Sequence, residues 1–234
     1  MSVEVTGLTV TQGNRALLSG IDLTIRPGEV TAVIGANGAG KSELVLAMAG
    51  VLPLSAGQVT LDGRRIDGTG PEAIRRAGMA AVPEGHRVLT VLSVDDNLRA
   101  AGSLLKDDLA GRLAEAYAIF PELAERKAQA AGTLSGGQQQ MVALAQALMS
   151  RPRYLLIDEM SLGLAPLIVK RLLGVVAELK AKGTGILLIE QFTDLALGIA
   201  ETAVVLRGGK LRYSGEAARL AADKALLHGA YFGV

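Results

Sequence analysis

The run GANGAGKS at positions 35–42 constrains the fold of this chain more than any other stretch of its 234 residues. It fits the pattern G-x-x-x-x-G-K-[ST], with Gly35, Gly40, Lys41 and Ser42 at the fixed positions. An apolar segment rich in β-branched residues precedes it, and a segment with apolar residues at helical spacing follows it. Small residues let backbone N–H groups converge on phosphate oxygens, and the start of the following helix attracts the same anion. The pattern therefore predicts a phosphate-binding loop between a strand and a helix, rather than an ordinary glycine turn.

The roles expected within this loop follow from the residue types. Lys41 is expected to reach the terminal phosphates of a nucleotide, and the Ser42 hydroxyl is expected to ligate Mg²⁺. Glu43 is unusual, because a carboxylate about 5 Å from a phosphate charge costs on the order of 3 kcal/mol at an effective dielectric constant of about 20. Its place in the first helical turn offsets up to about 1 kcal/mol, and we expect its side chain to turn away. The residues expected around the nucleotide here are Gly35, Ala36, Asn37, Gly38, Ala39, Gly40, Lys41, Ser42 and Glu43.

Two acidic residues end the apolar run YLLIDE at positions 154–159. A buried strand would bring Asp158 to its carboxyl edge, where the side chain can hold a metal ion through water. Glu159 follows at once and is positioned to act as the general base on an attacking water. Two acids at the end of a strand are, in isolation, more often a solvated turn or a helix cap. Together with the phosphate loop, they favour a catalytic site.

The run LSGGQQQ at positions 134–140 begins a predicted helix and forms a second candidate anion site. Ser135, Gly136, Gly137 and Gln138 are the residues expected to contact a nucleotide. A serine helix cap with glycines for the turn explains the local pattern equally well. It leaves open why the run lies about twenty residues before the acidic strand.

The rest of the chain predicts an α/β fold. The nearly unbroken apolar runs YLLID and GILLIE are typical of parallel strands that are covered on both faces. The alternating N-terminal segments predict an antiparallel β region, and the alanine- and leucine-rich stretch predicts an inserted helical subdomain. We expect one domain over residues 1–234, with a nucleotide-binding core at 1–92 and 151–234 and the helical subdomain at 93–150. The segment AVVLRGGKLRYSG predicts a hairpin that turns at its two glycines.

Composition excludes several other classes of protein. The formal charge is +1 and aromatic residues make up 3% of the chain, so neither a basic field nor stacking platforms favour nucleic-acid binding. Cysteine is absent, which excludes disulfides and thiol chemistry. No stretch reaches the roughly 20 uninterrupted apolar residues of a membrane-spanning helix, and the N-terminal segment does not fit a signal peptide. A cytoplasmic protein is therefore expected.

Taken in order, the phosphate loop, the LSGGQ run and the LLIDE strand resemble the ATP-binding subunits of ABC transporters over essentially the whole chain. The chain is more narrowly similar to one of the two ATPases of the branched-chain amino acid importers. That likeness rests on VPEGHRVLTVLSVDDNL, on SLGLAPLIV, on IEQ after the next strand and on the closing AYFG.

The resemblance implies an ATPase that uses ATP and Mg²⁺ as a head-to-tail pair of subunits. Ser135 would then contact the γ-phosphate held by the loop of a second ABC ATPase subunit, either a sister chain or an identical one. Two membrane permeases and, indirectly, a periplasmic or extracellular solute-binding protein would complete the importer at the cytoplasmic face of the inner membrane. Residues 83–98 correspond to the segment that senses the γ-phosphate and faces the permease, and residues 161–165 to the loop that crosses the dimer interface.

Several positions depart from the usual residues of the family. Glu84 stands where most members have a glutamine that contacts the metal ion, and Gln191 stands where most have a switch histidine. Glutamine can still hydrogen-bond to a γ-phosphate but cannot become cationic, so Gln191 is expected to position the substrate during catalysis. Gln12 replaces an aromatic residue that stacks on adenine, at a loss of roughly 1–3 kcal/mol. Met160 replaces a proline after the acids and is expected to fill an apolar gap.

These observations favour an ATP-hydrolysing motor subunit of an importer for branched-chain or related hydrophobic amino acids. A degenerate partner subunit that binds ATP with little hydrolysis is one alternative, and an importer ATPase for another small polar solute is a second. A soluble ABC protein that acts on DNA or the ribosome is disfavoured by the single cassette and the weak net charge.

Overall fold

The computed structural model describes residues 1–85, 88–103 and 108–233. The first elements along the chain are β1 (Val3–Gln12), β2 (Arg15–Ile25), β3 (Val30–Ile34), α1 (Lys41–Met48), β4 (Ala56–Leu61), β5 (Arg64–Arg65), α2 (Pro71–Ala77), β6 (Met79–Val82) and α3 (Val94–Gly102). The remaining elements are α4 (Leu109–Ile119), α5 (Pro121–Ala124), a single 3-10 turn (Ala131–Thr133), α6 (Gly136–Leu148), β7 (Tyr154–Asp158), α7 (Pro166–Ala181), β8 (Gly185–Ile189), α8 (Thr193–Leu197), β9 (Thr202–Arg207), β10 (Lys210–Glu216), α9 (Ala217–Ala222) and α10 (Lys224–Phe232).

The central sheet has the order β10-β9-β3-β8-β7-β6 among the described residues. The neighbouring pairs from β9 to β6 are parallel, and β10 joins the edge as the antiparallel arm of a hairpin with β9. Every residue of β3, β7 and β8 is buried, which is what their unbroken apolar sequences predict for strands covered on both faces. The expected mostly parallel sheet is confirmed.

The N-terminal region forms a separate antiparallel sheet with the order β2-β1-β4-β5 among residues 1–85. Buried and more exposed positions alternate along much of β1 and β2, so one face of this sheet packs inward. The β4–β5 hairpin turns at Asp62 and Gly63, whose φ angles are +51° and +79°. These angles suit a tight two-residue hairpin turn, which the Asp-Gly pair favours. The expected antiparallel β region is confirmed.

Hydrophobic packing joins these layers. One cluster of buried side chains lies between the central sheet and helices α3 to α7. Another lies between the two sheets and surrounds α1, and a smaller one lies under α8, α9 and α10. Fully burying an aliphatic side chain of this kind contributes about 1.5–3 kcal/mol, so these clusters hold the sheet edge in a fixed position.

Helices α3 to α6 occupy the stretch that the sequence predicts to be helical. The breaks lie at the predicted places, because α5 begins at Pro121 and α6 begins one residue after Ser135. The division of the chain into a core and a helical subdomain at 93–150 stays a prediction. None of the helices in the described ranges is long and apolar enough to cross a lipid bilayer.

Candidate active site

The candidate site lies at the carboxyl ends of three neighbouring strands. Strand β3 leads into the phosphate loop, β7 ends at Asp158, and β8 is followed by Glu190 and Gln191. Because β8 lies between β3 and β7 and all three run parallel, the segments after them meet at one edge of the sheet. Ligands in open α/β sheets bind outside this edge.

The phosphate loop needs glycine at two positions for different reasons. Gly40 lies at the start of α1 with a φ angle of +105°, a conformation that residues with a side chain rarely adopt. Gly35 approaches the neighbouring chain closely, because a Cβ atom there would lie 2.4 Å from the carbonyl oxygen of Leu206. The loop backbone can follow this path only with these glycines.

Lys41 begins α1 and bends back over the loop. Its side chain is 5% exposed, and Nζ donates hydrogen bonds to the carbonyl oxygens of Gly35 at 3.0 Å and Ala36 at 3.3 Å. Nζ also lies 3.6 Å from Oε1 of Glu159, which is 10% exposed. The cation and the candidate general base are therefore neighbours at the sheet edge.

Asp158 is almost completely buried at the end of β7. Burial raises the pKa of this carboxyl to about 6, a hydrogen bond with Ser42 lowers it, the charges of Glu159 and Glu84 raise it, and Lys41 lowers it. One oxygen, Oδ1, is buried without a hydrogen-bond partner among the described residues. A buried carboxylate oxygen with no partner is costly unless a ligand occupies it.

These residues fit a magnesium ion. The Ser42 hydroxyl lies close enough to the Asp158 carboxyl to lower its pKa, and the charge of Glu84 acts on the same carboxyl group. Within the described ranges, no group of three or more His, Cys, Asp or Glu side chains could hold a metal ion by itself. Magnesium takes only one or two protein ligands when phosphates and water supply the rest, so the small ligand set suits it.

Glu159 has an unusual backbone. Its φ angle is +50°, which is rare for a residue with a side chain, and its N–H donates to the carbonyl oxygen of Ile189 at 3.0 Å. Strained backbone of this kind costs of order 1–3 kcal/mol and persists only when the surroundings enforce it. The pairing of β7 with β8 therefore fixes the direction of the Glu159 side chain, the candidate base.

The LSGGQ run forms a helix cap in the structure. The Ser135 hydroxyl accepts a hydrogen bond from the Gln138 N–H at 3.4 Å, and the Ser135 N–H donates to Oε1 of Gln138 at 3.1 Å. Ser135 and Gly136 are exposed, and Gly137 packs against Ile168 with no room for a side chain. None of the hydrogen bonds of Ser135 or Gln138 within the described chain reaches the phosphate loop or Asp158.

The other predicted positions differ in their burial. Glu43 is partly buried in the first turn of α1, while Glu84, Gln191 and Gln12 are exposed. Met160 is completely buried in the hydrophobic core, which confirms its expected role as an apolar filler. Within the candidate sensing segment 83–98, His86 and Arg87 lie outside the described residues.

A buried carboxylate at this edge, Glu190, was not among the site residues expected from the sequence. Glu190 is 1% exposed and accepts two hydrogen bonds from Ser161, one from the backbone N–H and one from the hydroxyl. Ser161 is itself buried, so the expected interface loop 161–165 begins inside the protein and reaches the surface at Leu162. The only sequence signal was an acidic residue directly after an apolar strand.

A second surface feature is an apolar groove of about 490 Å³ whose lining includes Pro83 and Leu89. Helices α1, α2, α3 and α6 contribute to its walls, and Leu89 on its rim is 49% exposed. Its polar lining includes Arg75, whose guanidinium donates to the carbonyl oxygen of Gln146 at 2.6 Å. Asn97 holds the rim by donating to the carbonyl oxygen of Leu89 at 3.0 Å and accepting from its N–H at 2.8 Å.

The family model described as "ABC transporter" matches residues 18–161. The chain is 40% identical over 200 residues to the high-affinity branched-chain amino acid transport ATP-binding protein BraG of Pseudomonas aeruginosa, covering 85% of this chain and 86% of that protein. It is 36% identical over 209 residues to a probable branched-chain amino acid transport ATP-binding protein, LivF, of Archaeoglobus fulgidus, covering 87% of each. It is also 35% identical to the Fe(3+) ions import ATP-binding protein FbpC of Streptomyces avermitilis, covering 92% of this chain and 62% of that protein.

The fold agrees with these relatives. A crystal structure of a nucleotide-free ATP-binding cassette from an ABC transporter superimposes with a TM-score of 0.86 at 25% identity. The match covers 97% of this chain and 98% of that one. The resemblance drawn from the three motifs is confirmed.

Proposed function

Because this chain belongs to the ABC transporter family, as an ATP-binding ATPase subunit, we propose that it drives import of branched-chain or related hydrophobic amino acids by hydrolysing ATP. The observation that carries the proposal is the meeting of Lys41, Asp158 and Glu159 at one edge of the sheet, with Nζ of Lys41 3.6 Å from Glu159. A binding protein for phosphates needs the lysine alone. The additional buried acids favour chemistry at the terminal phosphate.

Lys41 and the loop amides bind the triphosphate in this proposal. The Lys41 ammonium group donates to two loop carbonyl oxygens and lies near Glu159. A bound phosphate would compete with these groups for the ammonium group, which is already at the site. The charge of Lys41 would then balance the negative charge that develops on the terminal phosphate. Gln191 would hydrogen-bond to the same phosphate without adding charge.

Glu159 acts as the general base in this proposal. Its carboxylate is mostly buried, and its direction is fixed by the strained backbone and the hydrogen bond to Ile189. A base held in this way can accept the proton of a water that attacks the terminal phosphate. The water oxygen bonds to the γ-phosphorus while the bond from that phosphorus to the bridging oxygen breaks. ADP leaves with that oxygen, and the proton of the water moves to a carboxylate oxygen of Glu159.

Ser42 and Asp158 would hold the magnesium ion, with Glu84 nearby. The hydroxyl of Ser42 would be an oxygen ligand, and the unpaired Oδ1 of Asp158 would hold the ion through water. When bound, the ion neutralises charge on the phosphate oxygens. Occupation of the unpaired oxygen would also remove the burial cost that the free protein carries.

A second ABC ATPase subunit would complete the site. Ser135 and Gly136 are exposed at the start of α6, and the hydrogen bonds of Ser135 and Gln138 are local, so this anion site is open to another molecule. The start of α6 in the partner would close over the nucleotide bound at Lys41. The two ATPase subunits would close on ATP and reopen after hydrolysis.

One of the two membrane permeases would dock on the apolar groove lined by Pro83 and Leu89. The groove is lined by apolar side chains with a few polar groups, and Leu89 and Val91 near it are 49% and 88% exposed. Such a surface suits an amphipathic helix from a membrane protein. The subunit would then work as a peripheral protein at the cytoplasmic face of the inner membrane, with a solute-binding protein on the other side.

The solute class rests on the relatives. BraG and LivF are named for branched-chain amino acid transport, and each aligns with most of this chain. FbpC is named for Fe(3+) import, which keeps an importer ATPase for another small polar solute as an alternative. Uptake of labelled leucine and of labelled iron by cells with and without the gene separates these two solutes.

Replacement of Glu159 by glutamine tests the proposed reaction. We expect Glu159→Gln to abolish steady-state ATP hydrolysis while ATP binding persists, because the amide cannot accept the proton. Loss of the general base should lower the rate of hydrolysis by at least about 10²-fold. Glu201→Gln is a matched control, since Glu201 lies at the opposite ends of the strands and accepts a hydrogen bond from the Val30 N–H. Wild-type turnover in Glu159→Gln contradicts the assigned base.

The alternative of an ATP-holding partner subunit has specific support. Gln12 lacks an aromatic face, Glu43 adds negative charge next to the phosphates, and Gln191 cannot become cationic. Single-turnover hydrolysis by the purified chain, alone and with its sister ATPase, distinguishes the two. Slow nucleotide exchange at the site of this chain, with no hydrolysis there even when the sister ATPase in the same complex hydrolyses ATP, favours the holding role.

A further inference from the structure

Glu190 is a buried carboxylate that the proposed reaction does not use. It follows β8 directly and is 1% exposed. The Ser161 N–H donates to Oε1 at 3.1 Å, and the Ser161 hydroxyl donates to Oε2 at 2.5 Å. Both carboxylate oxygens are therefore engaged by one residue, and that residue lies two positions after Glu159.

This pair connects the segments that follow two adjacent strands. Strands β7 and β8 are paired up to Asp158 and Ile189, and the Glu159 N–H donates to the Ile189 carbonyl oxygen. The Glu190–Ser161 pair adds the next connection, at the point where the ladder has ended. The chain is therefore held on both sides of the Glu159 side chain. The Glu159 N–H bonds to Ile189 at the end of β8, and Ser161, two residues later, bonds to Glu190 directly after β8.

The pKa of the Glu190 carboxyl reflects the groups around it. Burial raises the pKa of the carboxyl, whereas the hydrogen bonds from the Ser161 hydroxyl and N–H lower it. The charge of Glu159 raises it, and a backbone hydrogen bond from Gln191 lowers it. The carboxylate is therefore bonded to Ser161 on one segment and lies directly before Gln191 on the other.

We propose that Glu190 is a positioning residue that holds Ser161, fixes the strained backbone of Glu159 and links it to the segment carrying Gln191. Its effect on the rate rests on the proposed hydrolysis of ATP, whereas its effect on the loop does not. The competing view is that Glu190 only satisfies two buried donors and stabilises the fold. The two views differ in what a substitution does to the catalytic rate at unchanged stability.

Glutamine at position 190 tests this proposal with little change in volume. A carboxylate presents two acceptor oxygens to the two Ser161 donors, and an amide presents one acceptor and one donor. Glu190→Gln therefore loosens Ser161 and the backbone before it. Ser161→Ala is the second variant, because it removes the hydroxyl donor and leaves the backbone bond. Glu201→Gln is the matched control, since its carboxylate also holds a backbone N–H but at the other end of the sheet.

Two measurements are made on each variant of the full chain. Hydrogen–deuterium exchange of the peptide covering residues 159–165, without nucleotide, reports the loop directly. Steady-state kinetics with its ATPase partner give kcat and the KM for ATP. We expect faster exchange in Glu190→Gln and Ser161→Ala, with kcat lower by about tenfold to a hundredfold and KM unchanged. Glu201→Gln is expected to match the wild type in both.

Several outcomes overturn the proposal. Unchanged exchange in both variants shows that the Glu190–Ser161 pair does not hold the loop, whether or not the protein hydrolyses ATP. Faster exchange with wild-type kcat removes the positioning role, and a rise in KM with unchanged kcat assigns the residue to binding. If Glu190→Gln does not fold, the same criteria apply to Ser161→Ala. A wild-type protein that does not hydrolyse ATP contradicts the proposed function, and exchange then decides the connection alone.

Discussion

The buried, ionised carboxyl of Asp158 lowers the stability of the ligand-free protein, and its place in a ligand site explains why it is there. The carboxyl is 2% exposed, one oxygen lacks a partner among the described residues, and burial is the main reason that its pKa rises from 3.8 to about 6. A raised carboxyl pKa means that the folded state binds the proton more tightly than the unfolded state. The ionised group therefore destabilises the fold at neutral pH, as is common for residues built for a ligand.

We expect Asp158→Asn to stabilise the nucleotide-free protein at pH 7.5 in EDTA, because it removes the buried charge. The two pKa values, 3.8 and about 6, correspond to a penalty on the order of 3 kcal/mol. That penalty is complete above about pH 6, shrinks as pH falls, and is absent below about pH 3.8, where both states are protonated. Urea denaturation of both proteins at pH 7.5 and pH 5 measures it.

The gain in stability of Asp158→Asn must therefore be smaller at pH 5 than at pH 7.5. Asp194→Asn serves as the control, since Asp194 is exposed in the first turn of α8. A variant that is less stable than the wild type at both pH values contradicts the assigned cost of burial.

Single residues differ in how far the sequence could predict them. Met160 was correctly expected to fill the core, because an unbranched apolar side chain adapts to irregular space. Glu190 could not be assigned, because its partner Ser161 is 29 positions away and is reached only through the pairing of β7 with β8. An acidic residue after an apolar strand has no meaning until the neighbouring strand is known.

Among the helices, α6 shows how one local structure can serve two purposes. Ser135 and Gln138 satisfy each other's backbone N–H groups, which explains the start of the helix without any ligand. The same start leaves Ser135 and Gly136 exposed, which suits an anion site for a partner's nucleotide. Stability and activity must be measured separately to distinguish these purposes.

We expect Ser135→Ala to lower the free energy of unfolding by about 1 kcal/mol, because the helix cap is lost. Ser135→Asp should keep the wild-type stability, since aspartate caps helices as well as serine does. Both variants should lose ATP hydrolysis, the second because its carboxylate would face the partner's γ-phosphate. Urea denaturation and steady-state kinetics test the two effects. Wild-type turnover in Ser135→Asp shows that Ser135 is only a cap.

The elements themselves were predicted best where the pattern was strongest. Strand β7 covers YLLID as expected, because an unbroken apolar run bounded by polar residues allows little else. The hairpin between β9 and β10 turns at Gly208 and Gly209, both with positive φ angles, as the glycine pair predicts. Strands β1 and β2 include polar residues such as Gln12 and Arg15 at their ends, because the two strands pair with each other up to the turn.

The topology of the whole molecule brings the site together from distant segments. The order β10-β9-β3-β8-β7-β6 places the strand before the phosphate loop two positions from the strand that ends at Asp158. Sequence patterns identified both strands but could not give this order, which depends on long-range packing. The positions of the groove and of the Glu190–Ser161 pair depend on the same packing.

Calorimetric titration of ATP with Mg²⁺ into Glu159→Gln tests the central claim most directly, because the variant should bind the nucleotide without consuming it. We predict saturable heat that is lost in the additional variant Lys41→Ala and kept in Lys182→Ala, whose lysine instead pairs with Glu178 on the surface. An absence of binding heat at ATP concentrations of about 1 mM, the upper end of usual enzyme affinities, would contradict the account.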